Sequence, residues 1–281
     1  MPPFLSYQDK IEIIAPSKFV FKKDMLAAVR TIESYGFVVQ FNDKLFLKKD
    51  VFSGNKKQRI HNFQSALNNK ETKAIFFARG GYGAIQIIDH IDFTDFKKNP
   101  KWLIGFSDIA IILMHLYSNY NVNSIHGPMP FNFQYTNKIS IKRLFNMLKG
   151  KVNQIQIKHH EFNNLGSSCG LIIGGNLSIL CSLIGSTSFI DLNKDHILFI
   201  EDVDEYLYRL ERMIYVLERA GIFKKIKGLI IGQFTKSLDN QIQFGKTPYQ
   251  IIYSIVSKYN YPIAFNFPIG HGSTNYPIII G

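Results

Sequence analysis

Short apolar runs alternate with longer stretches whose apolar positions recur at helical spacing, and this alternation organises the first half of the chain. Lys10 to Ala15 reads as a strand stopped by Pro16-Ser17, and Lys23 to Tyr35 as a helix ending at Gly36. Phe37 to Phe41 is the next strand. After the polar turn around Ser53 to Lys57, Gln58 to Asn69 is helical in pattern and Ala74 to Ala78 is a third apolar strand. Arg79-Gly80-Gly81-Tyr82-Gly83 follows directly, then Ala84 to Ile91 as a helix and Trp102 to Ile104 as a fourth strand. Strands and helices in this order imply a parallel sheet with crossover helices, in which ligands gather at the carboxyl ends of the strands.

The pattern changes between Lys151 and Ser168, a polar stretch poor in helical periodicity. Beyond it, Gly170 to Gly175 reads as a glycine-bounded strand, with Asn176 capping a helix over Leu177 to Leu183. His196 to Ile200 is a further strand, followed by the acidic run Glu201-Asp202-Val203-Asp204-Glu205; Arg209 to Ala220 is an amphipathic helix and Gly228 to Ile231 another strand. Tyr261 to Gly272 is broken by Pro and Gly, which places His271 on a loop. The expectation is an α/β protein of two lobes: a parallel-sheet lobe over residues 1–150, a linker over 151–168, and a mixed α/β lobe over 169–281, with a site at their interface.

Composition narrows the function classes. At 281 residues and 46% hydrophobic, the chain can bury one large core or two modest ones. No uninterrupted apolar run reaches the roughly 18 to 20 residues of a membrane span, and the start MPPFLSYQDK lacks the charged-then-apolar order of a secretory signal, so a cytoplasmic protein is expected. Cys169 and Cys181 form no CxxC and read as core thiols. The net charge of +12 comes from lysines in short groups spread along the chain, such as Lys22-Lys23, Lys97-Lys98 and Lys224-Lys225. That is a solvated surface rather than a phosphate-tracking stripe, so no nucleic-acid partner is expected, although a positive field would draw an anionic small substrate. His159 and His160 are adjacent and there is no HExxH, so neither metal nor cofactor is expected.

Candidate chemistry centres on Ser107. It lies between the Trp102–Ile104 strand and a dense apolar run from Ile109 onward, where unpaired N–H groups at a helix start can hold an oxyanion. The alternative is that Ser107 or Asp108 merely caps that helix. RGGYGA is neither GxGxxG nor a Walker loop, and glycines there let a ligand approach backbone N–H groups closely. A serine nucleophile needs a base and a group to orient it. Of the eight histidines, His126 in SIHGP and His271 in GHG read as tight-loop residues, and local chemistry does not choose between them. Glu201, the first polar residue after an apolar strand, is the candidate orienting acid.

Several segments in order carry a resemblance: Ile14 to Ser17 (IAPS), Arg79 to Ala84 (RGGYGA), Ile104 to Ala110 (IGFSDIA), Ser124 to Met129 (SIHGPM), Gly174 to Ser178 (GGNLS), Leu198 to Met213 (LFIEDVDEYLYRLERM) and Pro268 to Gly272 (PIGHG). Together they resemble the LD-carboxypeptidase family, the muramoyl-tetrapeptide carboxypeptidases and related microcin-immunity hydrolases, which are serine peptidases. The resemblance implies a triad split between two lobes, with Ser107 as nucleophile, Glu201 as orienting acid and His271 as base. It implies an oxyanion hole from backbone N–H groups of Gly81, Gly80 and Asp108, and leaves Arg79 either to clamp a substrate carboxylate or to brace the lobe interface. The implied substrate is a cytoplasmic murein tetrapeptide, cleaved between a diamino acid and its terminal D-alanine. The alternatives are an immunity-type amidase acting on acyl-nucleotide conjugates and a silent binder of anionic ligands. Relatives are commonly dimers; core packing is nevertheless the expected fate of Tyr206, Tyr208 and Tyr215. Two departures stand out. GFSDI lacks the second glycine of GxSxG, and relatives usually continue through another strand after PIGHG.

Overall fold

The computed structural model describes residues 1–151, 154–189 and 191–281, so positions 152 and 153 of the expected linker and position 190 of the second lobe lie outside the described residues. Among the described residues, ten strands form two sheets. The first contains β1 (Lys10–Ile14), β2 (Val38–Gln40), β3 (Thr72–Phe77), β4 (Trp102–Gly105), β5 (Ser124–His126) and β10 (Ile278–Ile280), in the order β10-β5-β4-β3-β1-β2. The second is β6 (Leu171–Asn176), β7 (His196–Val203), β8 (Gly228–Thr235) and β9 (Ile263–Ala264), in chain order and wholly parallel. The antiparallel strand is β10, which follows the second sheet and pairs with β5 through Ile278 opposite His126. A strand therefore does follow the PIGHG loop, as in the family pattern, and the departure expected there is corrected. It was invisible as a strand because three isoleucines carry no periodicity.

The helices are α1 (Lys22–Ser34), α2 (Lys56–Asn68), α3 (Thr94–Lys98), α4 (Ala110–Tyr120), α5 (Lys138–Leu148), α6 (Leu177–Leu183), α7 (Leu207–Arg219), α8 (Ile222–Lys225) and α9 (Pro248–Val256). α5 and α9 are not among the expected elements, although both carry start signals: Asn137 accepts from the Ser140 N–H, and Thr247 with Gln250 closes a capping box ahead of Pro248. The helix expected over Ala84–Ile91 is instead two 3₁₀ turns, Ala84–Gln86 and Ile88–His90. Ala84, Ile87, Ile88 and Ile91 are all buried, at the i, i+3, i+4, i+7 spacing that suggests a helix, but the backbone follows a 3₁₀ path instead.

The central strands β3 and β4 are buried on both faces, which is why they read as apolar runs. Ile11, Ile13, Phe76, Trp102 and Ile104 face one layer with Met25 and Ile32 of α1 and Phe145 of α5. Alternate residues Ile14, Ile75, Phe77 and Leu103 face the other, whose core runs through α4 into Leu177, Leu198, Ile200, Leu210 and Ile214 of the second lobe. α4 is buried from Ala110 to Tyr117, and an apolar surface all round is what a helix shared by two lobes requires. The two sheets thus share one core, and their carboxyl ends meet.

Two surface assignments differ from expectation. Cys169, just before β6, is exposed, and Cys181, within α6, is only partly buried where it packs against the rim of the core. Tyr206, Tyr208 and Tyr215 are also exposed, on the side of α7 opposite its buried stripe of Leu207, Leu210, Ile214 and Leu217.

Candidate active site

Ser107 sits on a sharp turn directly after β4, and its φ of 63° is one that residues with a side chain rarely adopt. The turn is forced by Gly105, where a Cβ would lie 2.7 Å from Cγ2 of Ile109. No second glycine is needed, because Ser107 itself takes the left-handed conformation. A 3₁₀ turn over Ser107–Ile109 leads straight into α4, and neither helical start has a side-chain cap bond, so Ser107 is not a capping residue. Gly80 lies against it: a Cβ there would be 3.0 Å from Ser107 Cβ and 3.4 Å from the Asp108 backbone nitrogen. The glycine turn and the start of α4 therefore present their backbones to the same hydroxyl.

The second lobe supplies a carboxylate and an imidazole. Glu201 is fully buried on β7, and its Oε2 accepts a 2.6 Å hydrogen bond from Nδ1 of His271. With the Nδ1 proton held there, Nε2 is left as the acceptor. Opposite Glu201 the β7–β8 register shifts, since Ile200 pairs with Ile231 but Asp202 with Phe234. The extra residue on β8 opens the ladder, and the His271 loop fills the gap: the Gln233 N–H donates to Ile269 O at 2.8 Å and the Gly272 N–H to Gln233 Oε1 at 3.1 Å. Gly270 is required because a Cβ there would lie 3.1 Å from Glu201 Oε2.

The loop is also tied across to the first lobe. The Asn137 N–H donates to Ser273 O at 2.8 Å, Asn137 Nδ2 to Thr274 Oγ1 at 2.7 Å, and the Asn275 N–H to Ser140 Oγ at 3.1 Å. These start-of-α5 residues have no catalytic signature in the sequence, and only their place at a helix cap draws attention to them. The Phe106 ring, one residue before the serine, packs 4.8 Å from the His271 ring. Serine turn, glycine turn and base loop are thus assembled at one edge.

The two histidines left open by local chemistry have different surroundings. His126 ends β5 rather than standing on a loop, is completely buried, and packs 4.8 Å from Phe199 and 5.8 Å from Phe106. Burial pushes its pKa down to about 4, with the Glu201 charge opposing and His271 reinforcing that shift. For His271, burial acts to lower the pKa, but the charge and hydrogen bond of Glu201 outweigh it and the net shift is upward. The stability that this pair contributes is therefore complete below the ordinary histidine pKa and is lost as pH rises through the higher folded value. NMR titration should place His271 above the usual value of about 6.5 and bring it down in Glu201→Gln, while His126 stays neutral from pH 5 to 8. A His271 midpoint unmoved by that substitution would show that the pairing does not persist in solution.

Among the described residues, the contacts of Arg79 lie in the first lobe. Its guanidinium lies 4.1 Å from the centre of the Phe131 ring and Nη1 reaches Phe19 O at 3.5 Å, both within the first lobe. Asp202, next to Glu201, is buried and holds Asn176 Nδ2 at 2.8 Å and the Ser178 N–H at 3.1 Å; burial and the neighbouring Glu201 charge raise its pKa to about 6. Among the described residues no cluster of His, Cys, Asp or Glu has the geometry to hold a metal ion, and no helix is long and apolar enough to cross a membrane. A cavity of about 760 Å³ lies at the amino ends of β3 and β4, the sheet edge opposite the serine, lined partly by Lys70, Lys73, Lys98 and Lys101.

Comparison with known proteins gives the same picture over nearly the whole chain. A family model described as the LD-carboxypeptidase N-terminal domain matches residues 11–127, and one described as the LD-carboxypeptidase C-terminal domain matches residues 169–281. The chain is 26% identical to the probable murein peptide carboxypeptidase of Bacillus subtilis, covering all of this chain and 89% of that protein. It is 24% identical to the microcin C7 self-immunity protein of Escherichia coli, covering 92% and 83% respectively. The solved muramoyltetrapeptide carboxypeptidase of Oxalobacter formigenes superposes with a TM-score of 0.85 at 26% identity, covering 97% of this chain and 92% of that one. The family models and the carboxypeptidase relatives make the molecule a hydrolase. The chain belongs to the LD-carboxypeptidase family.

Proposed function

We propose that this protein is a serine carboxypeptidase that releases the terminal D-alanine of murein tetrapeptides in the cytoplasm, as part of peptidoglycan recycling. The observation that carries the reading is the 2.6 Å bond from His271 to the buried Glu201, on a loop packed against the Phe106-Ser107 turn. In this reading His271 Nε2 takes the Ser107 proton as the hydroxyl attacks the peptide carbonyl, and backbone N–H groups of Gly80, Gly81 and Asp108 receive the oxyanion. His271 then protonates the departing D-alanine, and water releases the acyl-enzyme. The hydroxyl forms no hydrogen bond among the described residues, and in this reading its bond to His271 Nε2 forms when substrate is in place.

The amidase reading differs in what lies beyond the scissile bond. An acyl-nucleotide conjugate needs a flat aromatic surface for its base, for which the exposed Tyr82 of the glycine turn is a candidate, whereas the likeness to murein peptide carboxypeptidases supports the peptide. Purified protein should therefore release D-alanine from a disaccharide-free tetrapeptide and leave an acyl-sulfamoyl adenosine intact; the reverse result rejects the carboxypeptidase reading in favour of the amidase. We further propose a homodimer using the exposed tyrosines of α7, to be checked by analytical ultracentrifugation, where a single monomer-mass species rejects it.

A further inference from the structure

Two buried charges that the proposed triad does not use grip one peptide group beside it. Asp108 is 1% exposed, and its Oδ2 accepts from Ser17 Oγ at 2.6 Å and from the Ala84 N–H at 3.0 Å. Arg59, on α2, is 2% exposed; its Nη1 donates to Gly83 O and Pro16 O, each at 2.9 Å, and its Nη2 to Gln86 Oε1 at 2.5 Å. The Phe52 ring lies 4.6 Å from the guanidinium carbon. Gly83 C=O and Ala84 N–H are the two ends of a single peptide unit. A cation holds its oxygen and an anion its nitrogen, and the same pair holds Pro16 and Ser17 of the neighbouring loop.

Burying two ionised groups is costly, and neither is fully compensated: Asp108 Oδ1 and Arg59 Nε are both buried with no hydrogen-bond partner among the described residues. A core that only needed filling would be served as well by apolar side chains. What the charges supply is orientation. The gripped peptide closes the turn that begins at Gly80, and Gly80 is the residue packed on Ser107. Asp108 follows the serine in the chain, so its side chain joins the serine turn to the glycine turn across a separation that backbone hydrogen bonding leaves open.

We propose that Arg59 and Asp108 are positioning residues: a buried ionic clasp that holds the glycine turn at the distance from Ser107 at which its N–H groups meet an oxyanion. The proposal rests on Ser107 as nucleophile but not on the identity of the substrate. An oxyanion site displaced slightly loses transition-state stabilisation while substrate binding is largely kept. The clasp also fits a glycine-rich turn, because glycines give that turn no side-chain packing with which to fix itself.

The test uses Asp108→Asn, which removes the charge at constant shape, and Arg59→Lys, which keeps the charge but cannot span Gly83, Pro16 and Gln86. Gln86→Ala, which frees one end of the guanidinium, stands in where either fails to fold, as judged by circular dichroism. The readouts are kcat and KM for D-alanine release and the rate at which a fluorophosphonate labels Ser107. Each variant should lower kcat and the labelling rate in parallel, by about 10- to 100-fold, with KM within about 2-fold of the parent. Folded variants whose labelling rate matches the parent overturn the clasp, as does a change confined to KM. Parent protein that is labelled at Ser107 yet releases no D-alanine overturns the substrate reading alone, and parent protein that is not labelled overturns both.

Discussion

Ser107→Ala should abolish D-alanine release, lowering kcat by at least about 10⁴-fold, and should do so without unfolding the protein. The two halves of this expectation have separate causes. The hydroxyl is the only atom removed, it caps neither the 3₁₀ turn nor α4, and it makes no hydrogen bond among the described residues. Alanine meets the same cost as serine at a φ of 63°, so the strain of the turn is unchanged. Thermal melting should therefore stay close to that of the parent while turnover is lost. Activity retained in the variant would remove Ser107 from the chemistry, whatever the fold.

Gly174→Ala should be the most destabilising single methyl in the second lobe. The φ of Gly174 is 135°, and a Cβ built there would lie 1.9 Å from the carbonyl oxygen of Phe199 on β7. That atom is backbone within a paired parallel ladder and has no rotamer to move to. Relief means parting β6 from β7, which carries Glu201, so a cost above about 4 kcal/mol and loss of soluble protein are expected. Gly221→Ala is the control. Its φ of 73° lies in the left-handed region, a milder strain than at Gly174, and nothing lies within 4 Å of the added atom, so only a backbone cost of about 1 to 2 kcal/mol applies. Chemical denaturation compares the two variants. A Gly174→Ala protein as stable as Gly221→Ala would mean that β6 and β7 are less tightly joined than described.

Much of the fold was legible because burial on both faces writes a parallel strand as an unbroken apolar run. β1, β3, β4, β6, β7 and β8 all stand within a few residues of where such runs predicted them. β5 holds a serine and a histidine and β10 lies beyond the Pro- and Gly-broken loop, so neither stands out as such a run, and the Gly-Pro after His126 makes it read as a loop residue. The turn after Gly83 failed for another reason. Its apolar residues suggest a helix, but Asp108 takes the Ala84 N–H and Arg59 the Gly83 carbonyl, and these distant partners set the local path.

By itself the sequence determined the alternation of elements, the glycines at the serine and base loops, and the order of motifs that mark the family. Those features depend on neighbours within a few positions. It also placed a carboxylate at a strand end and a histidine between two glycines. Only the tertiary structure decided that Glu201 and His271, 70 positions apart, share a 2.6 Å bond, that α5 ties the His271 loop to the first lobe, and that two buried charges meet on one peptide. The physical reason is that periodicity records which face of an element leaves water, whereas a hydrogen bond between side chains records which elements lie side by side. That information appears only when the chain is packed.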